Sequence, residues 1–344
     1  MFTKKDTNLI KGLAVIVLCY HHLFWRTMDV PLNLSATSVN QMLTPMTKVC
    51  VAIFTILSGY GINESFKRCK NETGKFVWRH SKKLIVNFWW IYIPVVLLAF
   101  PLDVEGTPID IYGKSAKGFG AFLLDFMGLR GVAYTASLNN TWWYVETALV
   151  LYLVFPILSW FMKKNKLITV IVACLPNIIV MIDANILLKY VYYVDRELFY
   201  IAPFAIGMYL SEVDLLNKLM TWCKGSKRVI LLIVAGMLTC GQAVLATQIN
   251  NPLTQSFYAL SIIACMIAII QIIPIKYKVL EILGIHSMNI FLVHSIVYYY
   301  FGITSKIVFM FPTSVLKLAV LVMLSLAISI VIEKVKKLCE RRGK

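Results

Sequence analysis

Residues 11–26 read KGLAVIVLCYHHLFWR. The stretch is apolar enough to lie in hydrocarbon as a helix, yet it opens on Lys11 and carries His21 and His22 in its second half. Each ionisable group in a membrane interior costs several kcal/mol and is usually retained for a task. This run therefore fixes two expectations at once: a membrane-embedded helix, and a helix whose polar residues do chemistry or hold neighbours.

The rest of the chain repeats the pattern. Of 344 residues, 59% are hydrophobic and 15% charged, outside the mix of a soluble domain. Mostly apolar runs of about 20 residues, enough to cross ~30 Å of hydrocarbon, recur along it. Ten spans are predicted, at roughly 9–26, 44–62, 83–101, 141–162, 167–187, 197–212, 228–247, 256–274, 285–303 and 314–334. The expected fold is an all-α polytopic membrane bundle, a single transmembrane domain over residues 1–344. The first span lacks a small-residue cleavage site and reads as a retained helix, not a signal peptide. No soluble domain is expected, and a short helix is predicted near FGAFLLDFMGLR in the long hydrophilic piece 102–140.

Orientation follows from the basic residues. With the amino terminus inside, 25 of the 34 lysines and arginines fall on the cytoplasmic side. Both termini are then cytoplasmic. Positive-inside bias and attraction to anionic membrane lipids account for the net charge of +17 without nucleic acid. The eight cysteines are scattered without CxxC or zinc spacing, so neither a disulfide framework nor a metal site is expected.

Within span 1, Lys11 and His22 are eleven residues apart, which returns a helix to within about 20° and separates them by about 16 Å. Ala14, Val15 and Leu18 continue that face, which is expected to point into the bundle, while His21 sits about 100° away. Intramembrane histidines serve either as hydrogen-bonding struts or as a base near neutral pH. His294 in another span and Glu146 near the start of span 4 extend the set. Glu146 would hold an imidazole or anchor a substrate hydroxyl. At the inner boundary of span 3, KFVWRHSKKLIVNFWW carries Arg79, His80, Lys82 and Lys83. They read as a lipid-headgroup cluster or as a receptor for phosphates of a nucleotide cofactor. Trp142, Trp143 and Tyr144 read as an interfacial aromatic belt or a sugar-stacking platform.

In order along the chain, five elements resemble those of the integral-membrane acyltransferase family 3, whose members O-acylate bacterial cell-surface glycans. Lys11 to His22 fits the family's Arg/Lys, ten residues, His spacing. IFTILSGYG (Ile53–Gly61) echoes the end of its second span, and Arg79-x-x-Lys82 or His80-x-x-Lys83 its paired arginines. Trp142–Val145 and LGIHSMNIFLVH (Leu283–His294) complete the series. Lysine at position 11 and the degraded arginine pair depart from the commoner pattern, and lysine lacks the bidentate fork of arginine.

The resemblance implies an acyltransferase moving an acyl group, most often acetyl, from cytoplasmic acyl-CoA to a hydroxyl of an extracytoplasmic glycan or lipid-linked sugar, in a bacterial plasma membrane. His22 would be the base or transient acyl carrier, with His21 and Glu146 assisting. Lys11, Arg79, Lys82 and Lys83 would bind acetyl-CoA, and Trp142, Tyr144 and His294 the acceptor. The competing class is a proton-coupled transporter, which also uses intramembrane His and Glu. Against it, no pair of broken spans in matching halves suggests an inverted repeat.

Overall fold

The computed structural model describes residues 1–25, 38–69, 72–99, 109–113, 118–131, 135–191, 195–273 and 277–342. Its helices, in chain order, are α1 (Lys4–Trp25), α2 (Ser38–Met46), α3 (Val49–Lys67), α4 (Thr73–Ala99), α5 (Gly118–Phe126), α6 (Trp143–Lys164), α7 (Lys166–Ile182) and α8 (Ala184–Val191). They continue with α9 (Asp195–Glu212), α10 (Leu215–Trp222), α11 (Lys227–Gln248), α12 (Pro252–Ile272), α13 (Lys278–Ile285), α14 (Ser287–Ser295), α15 (Gly302–Phe309) and α16 (Ser314–Arg342). Wide π-type turns occupy Ile109–Gly113 and Ile296–Tyr300, and a 3-10 turn, Asn140–Trp142, leads into α6.

The protein is an all-α polytopic membrane bundle. Among the described residues seven helices are long and apolar enough to cross a membrane, or up to nine if two bent pairs each form one span. The bent pairs are Arg196–Glu212 with Leu215–Trp222, at 61°, and Lys278–Ile285 with Ser287–Tyr300, at 74°. The run predicted at 285–303 begins at the second of these bends. The expected span 167–187 is a shorter apolar helix, Lys166–Ile182. The expected short helix near FGAFLLDFMGLR is α5. The outermost residues of three expected spans, Arg26, Pro101 and Pro274, lie outside the described residues.

Packing divides the chain into two compact units, one of residues 1–76 and 154–285, the other of 77–153 and 286–344. In the first unit, helices meet where a side chain is missing. A Cβ on Gly59 would sit 2.1 Å from the Phe204 carbonyl oxygen, and one on Gly207 2.0 Å from that of Ile56, so α3 and α9 touch backbone to backbone. Gly12 against Leu280 (2.0 Å) and Gly284 against Asn8 (1.9 Å) do the same for α1 and α13. Lipid tails give apolar helices no reason to associate, so close van der Waals approach and polar ties hold such pairs. The ties are present: the Asn63 amide donates to Ser211 Oγ (2.9 Å) and Glu212 Oε1 (2.7 Å), and Thr239 donates to Ser261 across α11 and α12 (3.0 Å). On α11, Ile230, Ile233 and Met237 are exposed, as a helix facing hydrocarbon requires.

The second unit is built on aromatic packing. Trp142 sits with its ring centroid 5.1 Å from Phe88 and 5.5 Å from Tyr92, and its indole N–H donates to the Leu292 carbonyl (2.8 Å). This ties the start of α6 to α4 and α14. Below it, Lys336 of α16 donates to Asn87 of α4 (3.1 Å) and Glu333 (2.7 Å).

Candidate functional site

The first group of site residues lies in the first unit. Between α2 and α3 the apolar pattern breaks at Thr47 and Lys48, and this break packs against the C-terminal end of α1. Tyr20 donates to Asn40 Oδ1 (2.7 Å), and Thr44 donates to the Asn40 carbonyl (2.7 Å). His21, buried, places Nδ1 3.1 Å from the Thr44 carbonyl and 3.0 Å from Thr47 Oγ1. The Thr47 hydroxyl gives its own proton to the Thr44 carbonyl (2.6 Å), leaving its oxygen only to accept. Nδ1 of His21 is therefore the protonated nitrogen, and Nε2 carries the lone pair of the neutral ring.

His22 stands edge-on to His21, with centroids 5.1 Å apart and planes at 79°. Unlike His21 it is only half-buried, so part of its surface stays accessible. Trp25 continues the row, 5.2 Å from the His21 ring, and Lys48 Nζ lies 4.3 Å over the Trp25 centroid. Along α1 the expected face is as drawn from the sequence: Ala14, Val15 and Leu18 are fully buried, with Lys11 and His22 half-buried at its two ends.

The second group lies in the second unit. Arg79, Lys82 and Lys83 of α4 are exposed, whereas the His80 ring packs 6.1 Å from Tyr152 of α6. Of the two possible pairings, Arg79 with Lys82 is thus the one that presents both cations outward. Glu146, buried in the first turn of α6, accepts the Gly131 N–H at Oε2 (2.7 Å). A Cβ on Gly131 would fall 2.3 Å from that oxygen, so any larger residue there would displace the carboxylate.

Trp142, Tyr144 and His294 meet where α6 faces α14, but only Tyr144 keeps exposed surface. Trp142 is 3% exposed and serves as a packing anchor, since no face of its ring is open for a sugar to stack on. His294 is fully buried and donates from Nδ1 to the Phe291 carbonyl of its own helix (2.7 Å). Tyr144 packs against Phe291, 5.4 Å between centroids. Next to His294, the Ser295 hydroxyl accepts from the Asn139 amide (2.7 Å) and meets Thr141 Oγ1 (2.8 Å).

Several residues of these groups escaped the sequence reading. Thr44 and Thr47 were signalled only by the polar break in an otherwise apolar run. Asp125 of α5 was not singled out at all. Buried, it accepts from Tyr112 Oη, Ser137 Oγ (2.8 Å) and the Leu138 N–H (2.9 Å), and so fixes the loop leading to Asn139 and α6. Burial raises the Asp125 carboxyl above its usual range, and the three donors and the charge of Arg130 only partly offset this. Among the described residues no group of three or more His, Cys, Asp or Glu is placed to hold a metal.

Taken by itself, the first unit offers two adjacent imidazoles, one held through its Nδ1, and the second offers exposed cations suited to an anionic ligand. A family model described as an acyltransferase domain matches residues 5–334. No curated protein and no solved structure matches the chain.

Proposed function

Because this chain belongs to acyltransferase family 3 and is a multi-pass membrane acyltransferase, we propose that it moves an acetyl group from cytoplasmic acetyl-CoA to a hydroxyl of an extracytoplasmic glycan or lipid-linked sugar. The observation that carries this reading is the histidine pair on α1: His21 fixed through Nδ1, and His22 beside it with accessible surface.

In the proposed reaction the neutral His22 imidazole takes the proton of the acceptor hydroxyl as its oxygen attacks the thioester carbonyl. The tetrahedral intermediate then expels the coenzyme A thiolate, which takes the proton back from the imidazolium, leaving an ester and free thiol. His21, held by Thr44 and Thr47, keeps the neighbouring ring in place. Arg79, Lys82 and Lys83 hold the phosphates of coenzyme A by charge-assisted hydrogen bonds, with Lys11 as a further cation. Glu146 orders the 131 loop, and Tyr144 is the acceptor contact with surface to offer. The positive-inside bias supports an orientation with both termini in the cytoplasm, and the proposed location is a bacterial plasma membrane.

The test is to incubate membranes containing the protein with labelled acetyl-CoA and to analyse surface glycans by mass spectrometry. Thioester loss coupled to new O-acetyl esters is expected, and Arg79→Gln with Lys82→Gln should raise the KM for acetyl-CoA. Glycans unchanged in the presence and absence of the protein would overturn the proposed acceptor, and no thioester loss the proposed donor.

A further inference from the structure

In the second unit, α4, α14, α15 and α16 enclose a slot of about 710 Å³. One wall runs from Trp90 to Leu98 on α4 and the facing wall from Ala327 to Val335 on α16, with Ile296 and Ile303 on the third side. Apart from Thr304 and the indole of Trp90, the lining is hydrocarbon. Leu98, Ile303 and Val331 at its border are exposed, so the slot opens where a membrane protein meets lipid tails.

Two features say what fills it. The nine residues of helix along each wall, eight rises, give a length of ~12 Å. That is close to one leaflet, half of a hydrocarbon core ~30 Å thick. One phospholipid chain fits this depth, a long polyprenyl chain does not, and an acetyl group would leave it almost empty. The second feature is charge at one end. The residue after Val335 is Lys336, buried, with two of its three donors engaged by Asn87 Oδ1 and Glu333 Oε1. Lys334 and Lys337 beside it are exposed, and Glu333 is the one acid within residues 333–337. One helical turn before Asn87, Lys83 is exposed on α4.

We infer that this slot is a binding site for an anionic bilayer phospholipid, one acyl chain lying between α4 and α16 and the phosphate at the Lys334–Lys336–Lys337 end. The chain gains no hydrophobic advantage over leaving it among lipid tails. Selectivity therefore comes from the cations, each favouring an anionic headgroup on the order of fivefold.

The experiment is native mass spectrometry of the full-length protein in detergent, titrated with phosphatidylglycerol or phosphatidylcholine of equal chain length. One phosphatidylglycerol should be retained preferentially. Ala327→Trp, which takes up part of the slot, should weaken that retention, whereas Met237→Trp on the exposed side of α11 should not. Lys334→Gln with Lys337→Gln, both at exposed positions, should reduce the preference on the order of 25-fold without affecting the fold. Equal retention of the two lipids, retention unchanged by Ala327→Trp, or displacement of phosphatidylglycerol by a polyprenyl phosphate or a long-chain acyl-CoA would each overturn the assignment.

Discussion

His21 Nδ1 lies 3.0 Å from Thr47 Oγ1, whose own proton is already given to the Thr44 carbonyl. The direction of the hydrogen bond follows from that pairing, and with it the tautomer of one imidazole in the α1 pair. Removing the Thr47 oxygen while keeping its shape, by Thr47→Val, takes this hydrogen bond from His21 Nδ1 and keeps the one to the Thr44 carbonyl. A net hydrogen bond of about 1 kcal/mol corresponds to roughly a fivefold loss of acyl transfer. Thr47→Ser restores the hydroxyl and should restore the rate. A purely structural role would instead lower the membrane abundance of the valine variant.

The backbone contact of α3 with α9 makes a stability prediction. Gly59→Val places a branched Cβ about 2.1 Å from the Phe204 carbonyl oxygen, and the helices must separate. Overpacking of this kind costs roughly 1–3 kcal/mol. Thermal unfolding in detergent should show a clear drop in Tm, while Gly61→Ala, which meets nothing within 4 Å, should be close to neutral.

Asp125 predicts a pH dependence whose sign can be worked out. Its carboxyl is raised by burial, so the folded protein binds this proton more tightly than the unfolded chain. Below the ordinary carboxylate range both states are protonated and stability is unaffected. As pH rises through that range the unfolded chain loses the proton first, so the native state is progressively destabilised until the folded pKa is passed. Asp125→Asn should flatten this segment of the Tm-against-pH curve. A curve identical to wild type would show that the carboxyl does not titrate in this way.

Gly131 and Glu146 form a pair that either partner breaks. Gly131→Ala drives a Cβ into the carboxylate, and Glu146→Gln removes its charge. Both should lower acyl transfer at constant membrane abundance. The double variant should be no worse than the poorer single one, because one interaction is lost in each case.

Much of this was legible in the sequence, for physical reasons that also mark where reading stops. Apolar length betrays a hydrocarbon-embedded helix, so the class of the fold followed directly. A 74° bend between Ile285 and Ser287 has no signature of its own in hydropathy, because the polar break at His286 and Ser287 reads equally as the end of a span. Helical spacing placed Lys11 and His22 on one face with Ala14, Val15 and Leu18 between them. It gave no access to Thr44 and Thr47, which reach His21 only through a turn 23 and 26 residues away. Trp142 was ambiguous for a related reason. An interfacial tryptophan and a buried anchor occur at similar places along a span, and only the Leu292 carbonyl and the rings of Phe88 and Tyr92 tell them apart. The exposed cations of α4 were visible as a cluster, but which of them turns away, His80, was set by Tyr152 on another helix.

The central claim is that the α1 imidazole pair is where acyl transfer happens, with His22 as the base. The most direct measurement is acyl transfer by His22→Ala at matched abundance in the membrane, with Thr7→Ala, half-buried near the start of α1, as a control. Loss of a positioned base predicts a fall on the order of 10²–10⁴-fold. Transfer by His22→Ala at the rate of the control would contradict it.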